Sequence, residues 1–113
     1  MRSKILALSK SEEFKSLLKM KKISNRYVTI FYGFLKNKNN KKLNISFVTK
    51  KKIGNAVKRN KIKRRLRQIF DDAAKKSSIK FEKSYLVISH MAMLNNDFKN
   101  IKETIFQDLK RIV

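Results

Sequence analysis

The sequence predicts an α+β fold, an α-β sandwich in which helices pack on a small sheet, and three observations lead there. Apolar residues recur at helical spacing in three separate segments. Two stretches rich in aromatic and β-branched residues lie between the first and second of these segments, and one near-continuous apolar run lies between the second and third. The predicted order is therefore α-β-β-α-β-α, which suits helices covering a small sheet. At 113 residues, 42% of them hydrophobic, the chain has material for one modest core. With no proline and glycine only at positions 33 and 54, no linker interrupts it, so residues 1–113 read as a single domain.

Each element has its own justification. Ser9 followed three residues later by Glu12 has the form of a capping box, and Phe14, Leu17 and Leu18 then recur on one side of a helix spanning about Lys10 to Lys21. After Asn25-Arg26, the run Tyr27 to Leu35 predicts a strand, and the turn-like Asn37-Lys38-Asn39-Asn40 separates it from a second strand, Leu43 to Thr49. Together these two strands predict a β-hairpin. Side chains alternate along a strand, so Tyr27, Thr29 and Phe31 share one face and Val28, Ile30 and Tyr32 the other. Both faces are partly apolar, and the second is either covered or open for stacking. Gly54-Asn55 breaks the chain, and Asn55 is placed to cap a long helix reaching Lys76, whose Ile62, Leu66, Ile69, Phe70 and Ala73 lie on one side. Phe81 to Met91, with Tyr85-Leu86-Val87-Ile88 at its centre, predicts an interior strand. Asn96-Asp97 then caps a last helix with an apolar stripe of Phe98, Ile101, Ile105, Leu109 and Ile112.

Thirty Lys and Arg against eight Asp and Glu give a formal charge of +22, a self-repulsion best explained by a polyanionic partner such as nucleic acid. A spanning helix needs roughly 20 apolar residues, far more than the longest apolar stretch, Tyr27 to Leu35. Neither a membrane partner nor a secretory signal is expected, and the location read from the sequence is cytoplasmic. The lack of cysteine excludes disulfides, thiolate zinc sites and a cysteine nucleophile. One histidine, His90, builds neither a multi-histidine metal site nor a triad, and it reads as a strand-end residue that packs or hydrogen-bonds locally. The eight carboxylates, Glu12, Glu13, Asp71, Asp72, Glu82, Asp97, Glu103 and Asp108, are scattered, so no catalytic residue and no metal site is expected in the protein itself.

The charge is concentrated in Lys50 to Phe70, KKKIGNAVKRNKIKRRLRQIF, a segment without Asp or Glu. On a helix starting near Asn55, Arg59, Lys63 and Arg67 line one flank with Asn60 and Arg64 beside them, while Lys58, Lys61 and Arg65 lie around the other side. A solvated helix face ordinarily interleaves acids with its bases; this one holds cations at fixed positions, as phosphate neutralisation requires.

Lys51-Lys52-Ile53-Gly54-Asn55-Ala56-Val57, then Arg59-Asn60, Lys63-Arg64 and Arg67, resembles the signature of the protein subunit of bacterial ribonuclease P. The resemblance extends over nearly the whole chain, through Glu13-Phe14, Asn25-Arg26 and Ser46 to Thr49. It implies an α-β sandwich with a left-handed crossover at the long helix, where the usual bias would be right-handed. It further implies a protein that is monomeric alone and not catalytic alone. Its partners would be a catalytic RNA, which uses Mg2+ to remove the 5′ leader of precursor tRNA, and the precursor tRNA itself. Carried over by position, Lys51, Lys52, Asn55, Arg59, Asn60, Lys61, Lys63, Arg64 and Arg67 would contact RNA. Phe14, Leu18, Thr29 and Phe31 would line a leader-binding cleft between the first helix, the long helix and one face of the sheet. Thr29 and Phe31 are also the residues that alternation places on the face open for stacking, a sequence-tolerant way to hold single strands. The sequence departs from the family pattern at Lys61, where arginine is frequent, at Leu18, where an aromatic is common, and at His90 to Met93, which lacks a basic residue and a proline. A ribosomal or other structural RNA-binding protein is the rival reading; an independent nuclease would need clustered titratable groups.

Overall fold

The computed structural model describes residues 5–8, 11–35, 41–94 and 97–112. Among these residues five strands and three α-helices follow one another as β1 (Ile5–Leu6), α1 (Ser11–Leu18), β2 (Lys21–Ser24), β3 (Val28–Gly33), β4 (Leu43–Val48), α2 (Ala56–Lys75), β5 (Ser84–Ser89) and α3 (Phe98–Leu109). The α+β class and the expected succession of major elements are present, with two short strands added. The capping Ser9, the turn at 37–40 and Asn96 lie outside the described residues.

The sheet order is β1-β4-β5-β3-β2. β5 is parallel to β4 and antiparallel to β3, β2 is antiparallel to β3, and β1 is parallel to β4. The expected hairpin is therefore corrected: β3 and β4 run in opposite directions but do not pair, because β5 lies between them. The reason is burial. Tyr85, Leu86 and Val87 are all buried, and such a strand is best placed where both edges and both faces are covered. β3 and β4 then stand two strand spacings apart, roughly 10 Å, farther than the strands of a tight hairpin.

Two clusters hold the layers together. On one face, Val28, Ile30 and Tyr32 of β3, Leu43 and Ile45 of β4, and Tyr85 and Val87 of β5 pack against Ile62, Leu66, Ile69, Phe70 and Ala73 of α2 and Ile101, Ile105 and Leu109 of α3. The apolar sides predicted for the two helices are thus the buried sides. On the opposite face, Leu86 packs with Leu8 and Leu17, and Phe14, Met20, Phe31, Val48 and Ile88 surround them. Tyr27 departs from the alternation that grouped it with Thr29 and Phe31: it precedes the strand and is buried in the larger cluster. Asn25 shapes that turn, its Oδ1 accepting from the Tyr27 and Val28 backbone N–H groups at 2.7 and 3.0 Å while its Nδ2 donates to Asp108 Oδ2 at 2.7 Å. Buried Tyr85 donates its hydroxyl to the Lys80 carbonyl at 2.7 Å, and burial pushes its ionisation well above the usual tyrosine range.

α1 stops at Leu18 rather than Lys21, because Lys21 to Ser24 pair with β3 as an edge strand. At α2, Asn55 is the N-cap, its side chain accepting from the Lys58 backbone N–H at 3.0 Å. Replacing Asn55 with alanine should cost about 1 kcal/mol, to be read as a lowered melting temperature of the isolated protein. Asp97 occupies the N-cap of α3 in extended backbone but makes no capping bond with its side chain.

Candidate nucleic-acid interface

α2 is fixed by its apolar side, so its two flanks are held in place by the core. Asn60, Lys63, Arg64 and Arg67 line one flank and, with Phe47 of β4, enclose a cleft of about 420 Å3. Phe47 sits there because its ring packs on Phe70, with ring centroids 5.6 Å apart and planes inclined at 46°. Arg64 and Arg67 continue onto a shallower surface with Gln68 and Asp71. On the other flank Lys58, Lys61 and Arg65 border a smaller cavity of about 180 Å3 closed by Met93 and Leu94, and Arg65 Nη1 donates to the Met93 carbonyl at 3.5 Å. The two flanks expected from helical spacing are those observed for all of these residues except Arg59, which lines neither cavity.

Arg59 is half-buried, and its Nε is enclosed without a hydrogen-bond partner. A guanidinium nitrogen in that state is a buried donor lacking an acceptor, an uncommon arrangement, and being enclosed it is not itself a contact point for phosphate. Lys51 and Lys52 are exposed on a short 3-10 turn, Lys51–Ile53, anchored by buried Ile53. Asn55 belongs to the signature segment, but its side-chain oxygen is engaged in the cap. Asp71 and Asp72 are also engaged, with Lys75 at 3.2 Å and Lys102 at 2.7 Å respectively. Among the described residues no group of three or more His, Asp and Glu could hold a metal ion, and no helix is long and apolar enough to cross a membrane.

The second surface is the sheet face under α1. Phe14 and Phe31 are half-buried and pack around the same small cluster, and Thr29 lies half-buried on the same face of β3. Leu18 is 49% exposed and stands outside the cluster, so the structure joins three of the four expected cleft residues and leaves the fourth at its margin. Lys22, opposite Phe31 across β2 and β3, places its Nζ 5.9 Å from the Phe31 ring centre. The expected cleft between the first helix, the long helix and one sheet face is corrected, because α1 and α2 pack on opposite faces of the sheet; the link between the surfaces is the Lys50–Ile53 turn, which borders Ile88 and His90 at the end of the face under α1.

Sequence reasoning gave His90 only a local role. It does bond locally, through its backbone N–H to the Tyr27 carbonyl at 2.8 Å and through Nε2 to Thr29 Oγ1 at 2.8 Å. What sequence could not show is that His90 borders the same cavity as Lys50 and Lys52, and bonds to Thr29, because that depends on β5 lying between β3 and β4.

Comparison with known proteins agrees with this architecture. Residues 3–113 match the family model for Ribonuclease P. The ribonuclease P protein component of Listeria monocytogenes serotype 4b is 33% identical over 104 residues, spanning 91% of this chain and 84% of that protein. The one from Bacillus pumilus is 36% identical over 99 residues, spanning 87% of this chain and 80% of its own length. The RNase P protein from Thermotoga maritima superposes with a TM-score of 0.79 at 26% identity, covering 96% of this chain and 98% of that one. With the basic helix, the mixed sheet and near full-length matches in agreement, this chain belongs to the ribonuclease P protein component family.

Proposed function

We propose that the chain, acting as one RNA-binding unit over residues 1–113, grips the catalytic RNA of ribonuclease P through α2 and holds the 5′ leader of precursor tRNA on the open sheet face. Its family role is that of a subunit of the ribonucleoprotein endoribonuclease that processes the 5′ end of tRNA. The observation that carries the finer reading is the basic flank of α2, free of Asp and Glu from Ala56 to Phe70, with Arg64 and Arg67 opening onto the Phe47 cleft. Arginine forks onto phosphate oxygens, and a helix packed on a core fixes the register in which it does so. Lys51, Lys52, Asn60, Lys61 and Lys63 add cations or amide donors around it, and exposed Asn55, whose side-chain oxygen caps the helix, adds its amide N–H donors. Phe14 and Phe31 offer apolar surface for unpaired bases, with the Thr29 hydroxyl beside Phe31 on the same face and Leu18 at the edge.

In this reading hydrolysis belongs to the RNA, which uses Mg2+; the protein contributes affinity and position, as a monomer in the cytoplasm. The paired state of Asp71 and Asp72 supports leaving the metal to the RNA. The test is cleavage of a leader-bearing precursor tRNA at low Mg2+ by the cognate catalytic RNA alone, by the protein alone and by both. Efficient cleavage at the leader junction by the mixture only is expected. If adding the protein changes nothing, the assignment of this surface to precursor processing fails and a structural RNA-binding role replaces it.

A further inference from the structure

Three side chains form a continuous row across the open sheet face. Ser24 Oγ and Thr29 Oγ1 are hydrogen-bonded at 2.5 Å, and Thr29 Oγ1 and His90 Nε2 at 2.8 Å. Register produces the row: Ser24 lies opposite Thr29 across β2 and β3, and Thr29 lies opposite Ile88, two residues before His90. His90 also borders a cavity of about 200 Å3, together with Lys50, Lys52, Ile53, Ile88, Ser89 and Met91. Phe31 stands two residues along β3 from Thr29, on the same face.

We propose that this row and cavity form a ribose-recognising subsite, in which the 2′-hydroxyl of one leader nucleotide joins the Ser24–Thr29–His90 chain while Lys50 or Lys52 takes an adjoining phosphate. The proposal rests on the reading that the open face holds the leader, and it names what that face discriminates: RNA from DNA. The chemistry is matched group by group. Hydroxyls and neutral imidazole each donate and accept, as a 2′-hydroxyl does, and that group is what distinguishes RNA from DNA at a contact. A site for phosphate alone would need only donors, which the lysines supply and the row does not require. The cavity accommodates several waters, or one sugar–phosphate unit in their place. Ser24 is exposed and Thr29 and His90 are half-buried, so the row is reachable from solvent rather than sealed in the core.

The experiment measures affinity of the assembled holoenzyme for precursor tRNAs carrying an all-ribose leader, leaders with single 2′-deoxy substitutions, or a truncated leader. The proteins compared are the natural chain, His90→Ala, Thr29→Val and Thr29→Ser, each checked for folding by thermal melting. For the natural chain, one deoxy position or two adjacent ones should weaken binding about 3- to 10-fold, the worth of one hydrogen bond. In His90→Ala and Thr29→Val the all-ribose leader should bind as weakly as the deoxy leader does to the natural chain, and the deoxy penalty should vanish. Thr29→Ser, which keeps the hydroxyl, should retain it. Leader-dependent affinity without any deoxy penalty in the natural chain, or a penalty persisting in both variants, overturns the subsite. Affinity independent of the leader overturns the assignment of the open face to the leader, and the subsite with it.

Discussion

Replacing Arg64 and Arg67 together with alanine should leave a folded protein that binds its RNA poorly at physiological salt and recovers at low salt. Both residues are exposed on α2 and line the Phe47 cleft, and neither contributes to the buried side of the helix. Their removal therefore takes away charge and leaves the packing intact. Hydrogen bonds to charged groups are worth about 1.5–3 kcal/mol each, so each substitution should cost roughly tenfold or more in affinity. The slope of log affinity against log salt should also flatten by about 0.7–0.9 for each phosphate left without its cation. Titrating the holoenzyme's assembly across salt concentrations reads both quantities, with melting curves as the control for folding. An unchanged slope in the double variant would show that these two arginines neutralise no phosphate.

Replacing Phe70 with alanine should have the complementary effect, leaving every basic residue in place and loosening what positions them. Phe70 is completely buried and carries the ring on which Phe47 rests. Phe→Ala in a core costs about 3–5 kcal/mol, a large share of the roughly 5–15 kcal/mol available to a domain. For a domain of about this size each kcal/mol lowers the melting temperature by roughly 4–8 °C. Because RNA binds the folded state, excess catalytic RNA should restore much of the variant's activity by mass action, whereas it should not restore the salt response of the Arg64/Arg67 variant. A melting shift of only a few degrees would mean that neighbouring side chains collapse into the space left behind.

Much of α2 was legible because its signals are local. Ile62, Leu66, Ile69 and Phe70 mark the buried side by spacing, Asn55 marks the start, and the bases between them are left to the flanks. The run Tyr85 to Ile88 likewise announced an interior strand by composition. Partnership between strands was not legible, since Val28–Gly33 and Leu43–Val48 carry nothing that forbids a hairpin, and only competition from β5 decides against it. The edge strands escaped for different reasons. Ile5–Leu6 is too short for periodicity, and Lys21–Ser24 is mostly exposed, with charge where alternation would be sought, as edge strands often are. At the site, the exposure of the cations followed from spacing. The enclosed Arg59 Nε and the His90–Thr29 bond did not, because each depends on tertiary packing.

The insertion of β5 between β3 and β4 bears on how the chain is made. Synthesis proceeds from the N-terminus at about 5–20 residues per second, so both flanking strands and the whole basic helix emerge before Ser84–Ser89 exists to join them. Through that interval the nascent chain exposes unpaired strand edges beside a dense cluster of positive charge, a state open both to aggregation and to nonspecific capture by nearby polyanions. Closure of the sheet is a late, long-range event in the life of each molecule, and a ribosome that stalls before Ser84 leaves a fragment without the strand on which its neighbours assemble.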